Sequence, residues 1–247
     1  MDPMIEQLDV LQTVTVLAII ALAYVVRGIV GFGSGLICVP LLVFFLPLTV
    51  VVPLVVLLDY IASATHGIHN RRHIQWRELS VVLPFSLIGV LVALYVLRQF
   101  ELEHLLLALG IFLISYGLYS LSPFTPKRRY SRLWGIPGGL LAGLVGTLFA
   151  TGGPFYVTYL HLRQLDKTAF RASFATLFLI DGAARLTGFV VGGFYNLDLL
   201  WLLALSLPTM FIGLYLGGHI HTSLPATMFQ RLISVLLLVS GIALVLR

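Results

Sequence analysis

The chain has 247 residues, of which 59% are hydrophobic and only 10% are charged, whereas soluble domains average about 25% charged residues. The mean hydropathy is +1.03, and 15 Lys and Arg against 10 Asp and Glu give a net charge of +5. So few charged side chains argue against a soluble enzyme, a nucleic-acid-binding module and a disordered regulator. The composition predicts a polytopic protein whose surroundings are the lipid bilayer.

Apolar runs follow one another along the whole chain. A membrane-spanning helix needs about 20 apolar residues, and residues 10–58 contain a single charge, Arg27, which leaves room for two or three crossings. The further runs are residues 79–97, 105–123, 133–160, 172–193, 199–216 and 232–246. No run shows the alternating polarity of a barrel strand, so we predict an all-α fold.

Basic residues are concentrated in three loops, at residues 67–78, 122–134 and 162–171. Because cytoplasmic loops of membrane proteins are enriched in Lys and Arg, these three loops are predicted to lie in the cytoplasm. The short links at residues 98–104 and 194–198, and the acidic N-terminal segment, then lie outside. This pattern predicts a multi-pass protein of the cytoplasmic (inner) membrane with an external N-terminus.

The two halves of the chain share landmarks in the same order, which indicates an internal repeat. The matched segments are residues 28–31 with 143–146, 57–59 with 179–181, 84–89 with 208–213, and 115–117 with 239–241. We therefore predict a first transmembrane repeat at residues 1–121, a basic cytoplasmic linker at 122–134 and a second repeat at 135–247. If each repeat is a broken-helix hairpin plus about three full transmembrane helices, the odd number of segments inverts the second repeat.

Two glycine-rich segments interrupt the apolar sequence at corresponding places in the halves. Glycine costs about 1 kcal/mol per residue in a helix, and an unwound backbone is tolerated in lipid only where it is buried in protein or lines a cavity. Paired helix breaks indicate a transport site, and the N-terminus of a half-helix favours anions. The predicted substrate-binding residues of the breaks are Gly33, Ser34, Gly35, Thr151, Gly152, Gly153 and Pro154.

The alternative interpretation of these glycines is close helix packing, because small residues line helix interfaces in membranes. Two clusters at matching positions, each followed by a helix, favour the site. We expect the anion to bind where the two breaks face each other, with backbone N–H groups and the hydroxyls of Ser34 and Thr151 as donors. Rocking of the halves would then give alternating access, and assembly into a homo-oligomer is compatible with this arrangement.

These motifs resemble those of the TauE/SafE family of sulfite exporters and anion permeases. The resemblance is carried by residues 28–35 with Pro40, by residues 143–154, by residues 170–176 and the following helix, and by residues 73–77 at the end of a basic loop. It covers nearly the whole chain, although Ser34 stands in the middle of what is usually a triple glycine. It implies transport of sulfite, sulfoacetate or related organosulfur anions, driven by a proton or another ion gradient.

Ionisable side chains inside the predicted spans are further candidates, because each costs at least about 2.5 kcal/mol on insertion scales. Asp181 and Arg185 are four residues apart and can pair on one helix face, as a structural ion pair or as a site in which Arg185 holds the anion. Arg27 either faces the anion or extends to the membrane interface. Asp59, Asp181 and His66 are the candidates for coupling to protons.

Two rival functions remain. Inverted repeats with paired broken helices also build pores, so an anion channel is the first alternative. An intramembrane serine protease is the second, with Ser34 as nucleophile, but the rhomboid-type motif has glycine two residues before the serine and this chain has Phe32 there. The sequence therefore predicts a carrier without enzymatic activity, metal or cofactor, whose partners are a small sulfur anion, a coupling ion and lipid.

Overall fold

The computed structural model describes residues 9–65, 71–121, 128–219 and 226–246. Within these ranges the chain is helical and contains no β-strand, which confirms the predicted all-α class. The ten α-helices are α1 (Val10–Val30), α2 (Ser34–Leu42), α3 (Leu48–Thr65), α4 (Trp76–Gln99), α5 (Leu102–Leu121), α6 (Gly135–Phe149), α7 (Gly153–Leu162), α8 (Lys167–Val191), α9 (Leu197–His219) and α10 (Ala226–Val245).

Six of the described helices are long and apolar enough to cross a membrane: α1, α4, α5, α6 with the turn before it, α8 and α9. Helix α3 and the second part of α10 are shorter apolar segments. Large apolar side chains such as Leu91 and Tyr95 on α4 are about two-thirds exposed, as expected for a surface that faces lipid tails. The protein is therefore an integral, multi-pass membrane protein.

The elements follow the same order in each half of the chain. A helix, a break and a short helix come first, as α1–α2 and α6–α7, and three further helices follow, as α3–α5 and α8–α10. Each half therefore contains the predicted broken helix and three further helices. The inverted orientation of the second half stays a prediction.

The second break is the turn of a hairpin. The backbone N–H of Tyr130, just before α6, donates to the carbonyl of Leu162 at the end of α7, with the two atoms 3.0 Å apart. The start of α6 and the end of α7 therefore lie together. Helix α6 alone has 15 residues and rises about 22 Å, so it reaches the length of a membrane span only together with the turn before it. In the first half, the nine-residue α2 packs against α1.

The chain forms two compact units that interleave the sequence halves. Unit 1 consists of Met1–Val55, Phe100–Phe124 and Tyr195–Arg247, and unit 2 of Val56–Gln99 and Thr125–Phe194. Helix α1 packs on α9 in unit 1, and α6 packs on α4 in unit 2. Under the predicted repeat, α1 corresponds to α6 and α9 to α4, so the same pairing occurs in both units. The repeat boundaries at residues 121 and 135 stay a prediction.

Glycines allow the closest helix contacts in both units. In unit 1, a Cβ atom at Gly28 of α1 would lie 2.8 Å from the Cα atom of Gly217 on α9. In unit 2, a Cβ atom at Gly143 of α6 would lie 2.8 Å from the carbonyl carbon of Ser86 on α4. At Gly28 and Gly143 the packing interpretation is therefore correct, because the neighbouring backbones occupy the space of a side chain.

We expect the Gly28→Ala variant to be less stable than the wild type, by about 1–3 kcal/mol, because α1 and α9 must move apart. The matched control is Gly218→Ala on α9, where a Cβ atom meets no described atom within 4 Å. Alanine should be neutral or stabilising there, since it favours helix more than glycine does. Thermal unfolding of the purified protein in detergent measures both changes, and equal melting temperatures for the two variants would contradict the expectation.

Candidate functional site

The predicted pair of charges on α8 is present and buried. Helix α8 begins after Asp166, whose carboxylate accepts from the backbone N–H groups of Thr168 and Ala169, each at 3.0 Å. The Ala169 and Thr168 amides hold the pKa of Asp166 below its usual value. Further along α8, Arg185 Nη2 contacts Asp181 Oδ2, and the two side chains are only 6% and 2% exposed. The i,i+4 spacing therefore forms the ion pair that the sequence predicts.

Two hydroxyl groups that the sequence analysis missed complete the surroundings of Asp181. Ser86 of α4 donates from Oγ to Asp181 Oδ1, and Ser86 Oγ lies 2.7 Å from the hydroxyl oxygen of Tyr156 on α7. Ser86 and Tyr156 are both fully buried. In the sequence, both residues lie near prolines and glycines in apolar segments, which is the one signal that could have found them. Ser86 lies inside the matched segment 84–89, and Tyr156 follows the second break.

The guanidinium group of Arg185 lies against the second break. Its Nη2 atom donates to the carbonyl oxygen of Ala142 on α6 at 3.0 Å. A Cβ atom at Gly152 would lie 2.7 Å from Nη2, and one at Gly146 would overlap the guanidinium. Glycine at these two positions therefore leaves the space that the arginine occupies.

Two polar atoms at this break lack a partner. Among the described residues, the buried hydroxyl of Thr151 and Nε of Arg185 make no hydrogen bond. Thr151 is 2% exposed and Arg185 is 5% exposed. An unpaired buried donor costs about 1–3 kcal/mol, so the site has donor capacity that a ligand with acceptor oxygens can use.

A small cavity adjoins Arg185 inside unit 2, with a volume of about 20 Å³. This volume fits about one water molecule. Its lining residues are Val56, Asp59, Tyr60, Ala150, Phe178, Gly182 and Arg185. The predicted coupling residue Asp59 and the predicted binding residue Arg185 therefore share one cavity.

The backbone around the second break explains how α6 ends and α7 begins. Ala150 has a φ of +53°, a left-handed conformation that ends α6. Gly153 and Pro154 form the buried first turn of α7, where proline is favoured because its missing N–H group would have no helical partner. The predicted residues Thr151, Gly152, Gly153 and Pro154 are thus next to one another in unit 2.

The first break has a comparable arrangement in unit 1. Gly31 and Gly33 adopt left-handed φ angles of +92° and +100°, which side chains disfavour. Arg27 donates from Nη1 to Ser34 Oγ at 2.9 Å, and it is 6% exposed. Arg27 is therefore buried beside Ser34, and its choice between facing the anion and extending to the membrane interface stays a prediction. Gly35 is buried in the first turn of α2.

The structure divides the predicted site residues between the units. Arg27 and residues 33–35 belong to unit 1, whereas Asp59, residues 151–154, Asp181 and Arg185 belong to unit 2. A meeting of the two breaks stays a prediction. His66, the third coupling candidate, lies outside the described residues, as do residues 122–127 of the linker.

A second buried charge cluster in unit 2 was not foreseen. Glu78 at the start of α4 is 1% exposed and accepts from Arg163 Nε at 2.8 Å, from Arg132 Nε at 3.1 Å and from the Tyr159 hydroxyl at 2.7 Å. The side chain of Arg129 contacts it at 3.5 Å. All three predicted cytoplasmic loops thus contribute a residue to one cluster, which agrees with their placement on the same side of the membrane.

We expect Arg163→Ala to destabilise the protein by about 3 kcal/mol, because a buried charge loses its main partner. Arg129→Ala should cost under about 1 kcal/mol, because that side chain is half exposed and such pairs are weak. Thermal unfolding of both variants tests this order. A larger loss for Arg129→Ala would show that the linker contact, and not the buried pair, stabilises this end of unit 2.

The fold and these buried polar groups define a helical membrane protein with a polar site at a helix break. A family profile described as "Sulfite exporter TauE/SafE" matches residues 16–244. The chain belongs to this family, as its glycine motifs indicated.

Two curated relatives are named as transporters. The chain is 32% identical over 199 residues to "Probable inner membrane transporter protein TsaS" of Comamonas testosteroni, covering 77% of this chain and 81% of the relative. It is 24% identical over 249 aligned residues to a "Probable membrane transporter protein" of Haemophilus influenzae, covering 90% of this chain and 94% of the relative. No solved structure matches.

Proposed function

We propose that this protein is a secondary transporter of small sulfur-containing anions, such as sulfite, sulfoacetate or related organosulfonates. It lies in the inner membrane with an external N-terminus, works by alternating access and is coupled to protons or another ion. The observation that carries the proposal is the pair of unpartnered buried donors, Arg185 Nε and the Thr151 hydroxyl, at one helix break. The family description and the transporter names of the relatives support the same class.

The chemistry of the site fits an oxyanion. Sulfite and sulfonate groups present only acceptor oxygens, and a guanidinium group presents only donors. The hydrogen bonds between such groups are charge-assisted and stronger than neutral ones. The start of α7 adds the positive end of a helix dipole. The site therefore favours an anion over a cation or a neutral sugar.

The cavity next to Arg185 is too small for a sulfonate, since its volume fits about one water molecule. Anion binding is proposed to enlarge it through a shift of the break between α6 and α7, where Ala150 ends one helix and Gly153 begins the next. In unit 1, Arg27 and residues 33–35 are proposed to bind the anion as well. Asp59, Asp181 and His66 are proposed to take part in coupling.

The two alternatives differ in what they require. A channel requires a continuous open path, and the transport assay below separates it from a carrier. A serine protease requires a general base for Ser34, and Arg27, which donates to the Ser34 hydroxyl, stays protonated and cannot fill that role.

Counterflow in proteoliposomes tests the proposal. Vesicles that contain the purified protein are loaded with unlabelled sulfite or sulfoacetate, and labelled anion is added outside. A carrier gives saturable, transient accumulation of label. Conductance without saturable counterflow would establish a channel instead, and neither signal with a broad set of sulfur anions would overturn the proposed substrate class.

We expect Arg185→Gln to lower the counterflow rate by about 100-fold, because the loss of a charged hydrogen bond costs about 3 kcal/mol. Arg98→Gln is the matched control, since Arg98 is exposed in the last turn of α4 in the same unit. Arg185→Lys keeps the charge beside Asp181 if the glutamine variant does not fold, and it should still lose activity because lysine lacks the planar fork. Wild-type rates in both Arg185 variants would remove this residue from the mechanism.

The Thr151→Val variant separates binding from stability. Its hydroxyl has no partner among the described residues, so valine should leave the melting temperature unchanged or raise it. If the hydroxyl donates to the anion, affinity should fall about tenfold, which corresponds to about 1.4 kcal/mol. Titration of the detergent-solubilised protein with sulfoacetate measures the affinity, and an unchanged value would mean that Thr151 does not contact the anion.

A further inference from the structure

In the site of unit 2, the carboxylate of Asp181 already binds Arg185. The Asp181 carboxylate occupies Nη2 of Arg185 through Oδ2 and accepts a hydrogen bond from Ser86 through Oδ1. Arg185 can therefore bind an external anion with its full set of donors only if Asp181 gives up its place. The Asp181 carboxylate and an external anion would therefore compete for the same donors of Arg185.

The hydrogen bonds around Asp181 have a definite direction. A serine hydroxyl carries one proton, and Ser86 uses it toward Asp181, so the Tyr156 hydroxyl must donate to Ser86 Oγ across their 2.7 Å contact. Two donors in series thus point toward the carboxylate. This arrangement stabilises its ionised form and ties α8 to α4 and α7.

The ion pair of Asp181 and Arg185 is neutral as a whole and therefore offers no excess positive charge to an added anion. Helix α8 contributes Asp181 and Arg185, and α3 contributes Asp59 and Tyr60, which line the adjoining cavity. Helices α4 and α7 present the hydroxyls of Ser86 and Tyr156, and α6 presents the carbonyl oxygen of Ala142. The cavity beside the ion pair is thus lined by a second acidic side chain, that of Asp59. An incoming anion would make this buried region more negative, which is costly in a low-dielectric interior.

We propose that the substrate replaces Asp181 as the partner of Arg185 and that Asp181 takes up one proton in the exchange. The inference rests on the proposed function, because it concerns how the transported anion enters that site. A buffer acid in solution gives up a proton, which forms an O–H bond with the released carboxylate, while Arg185 stays protonated throughout. Anion and proton then enter and leave the site together, and Ser86 and Tyr156 are positioning residues that hold the carboxyl group in either state.

The number of protons taken up on binding tests this directly. Calorimetric titration with sulfoacetate, whose acidic groups are ionised at neutral pH, is repeated in buffers of different ionisation enthalpy. The buffer dependence gives the protons bound per anion, which we expect to be about one for the wild type by linkage. The Asp181→Asn variant should still bind the anion but take up about none.

The matched control is Asp166→Asn, which makes the same chemical change at the start of the same helix. Asparagine caps a helix about as well as aspartate, so this variant should keep the wild-type proton number. Asp59→Asn separates the two coupling candidates of unit 2. Loss of proton uptake in Asp59→Asn but not in Asp181→Asn would overturn the inference in favour of Asp59.

Ser86→Ala and Tyr156→Phe test the positioning role through the pH profile of binding. Each removes a donor that stabilises ionised Asp181, so protonation becomes easier and the midpoint of anion binding should move to higher pH. A purely structural role would lower affinity equally at every pH. A uniform loss in both variants would therefore contradict the assigned role.

The outcomes separate this inference from the proposed function. Anion binding by the wild type without proton uptake overturns the inference and leaves the transporter proposal intact, and this result does not depend on whether any variant folds. Wild-type proton uptake that persists in Asp181→Asn also overturns it. Absence of anion binding and of counterflow in stable wild-type protein would overturn the proposed function and the inference together.

Discussion

The buried ion pair between Asp181 and Arg185 is the contact on which the rest of unit 2 depends. A lone charge inside a bilayer costs at least about 2.5 kcal/mol on insertion scales, so neither side chain is stable there by itself. Ser86 on α4 binds the carboxylate, and the Ala142 carbonyl on α6 accepts from the guanidinium. Tyr156 on α7 binds Ser86. One pair of charges therefore fixes how four helices meet.

Glycine has three different tasks in this fold, and each follows from the missing side chain. At Gly28 and Gly143 it lets helix backbones approach each other. At Gly31 and Gly33 it supplies left-handed backbone between α1 and α2. At Gly152 it leaves room for the guanidinium of Arg185. Packing and site formation are thus not competing explanations of the motifs, because neighbouring glycines of one motif serve different purposes.

Much of this protein could be predicted because the signals are local. Composition and long apolar runs predicted a helical membrane protein, and glycine clusters predicted where α1 and α6 end. The i,i+4 spacing predicted the contact between Asp181 and Arg185, since a helix places such residues on one face. The basic residues of the three loops predicted that these loops lie on the same side of the membrane. The Glu78 cluster brings residues from all three loops together.

Other features depended on contacts between distant segments. The partners of Asp181 on α4 and α7 were missed because a hydroxyl in an apolar helix gives no sign of what it binds, and Ser86 lies 95 residues from Asp181 in the chain. The burial of Arg27 was undecided for the same reason. By itself, the sequence determined the helices, their breaks and the family, since these follow from local composition, spacing and motifs. Only the tertiary structure decided which helices pair within each unit and which donors stay unpaired, because both depend on how distant helices pack.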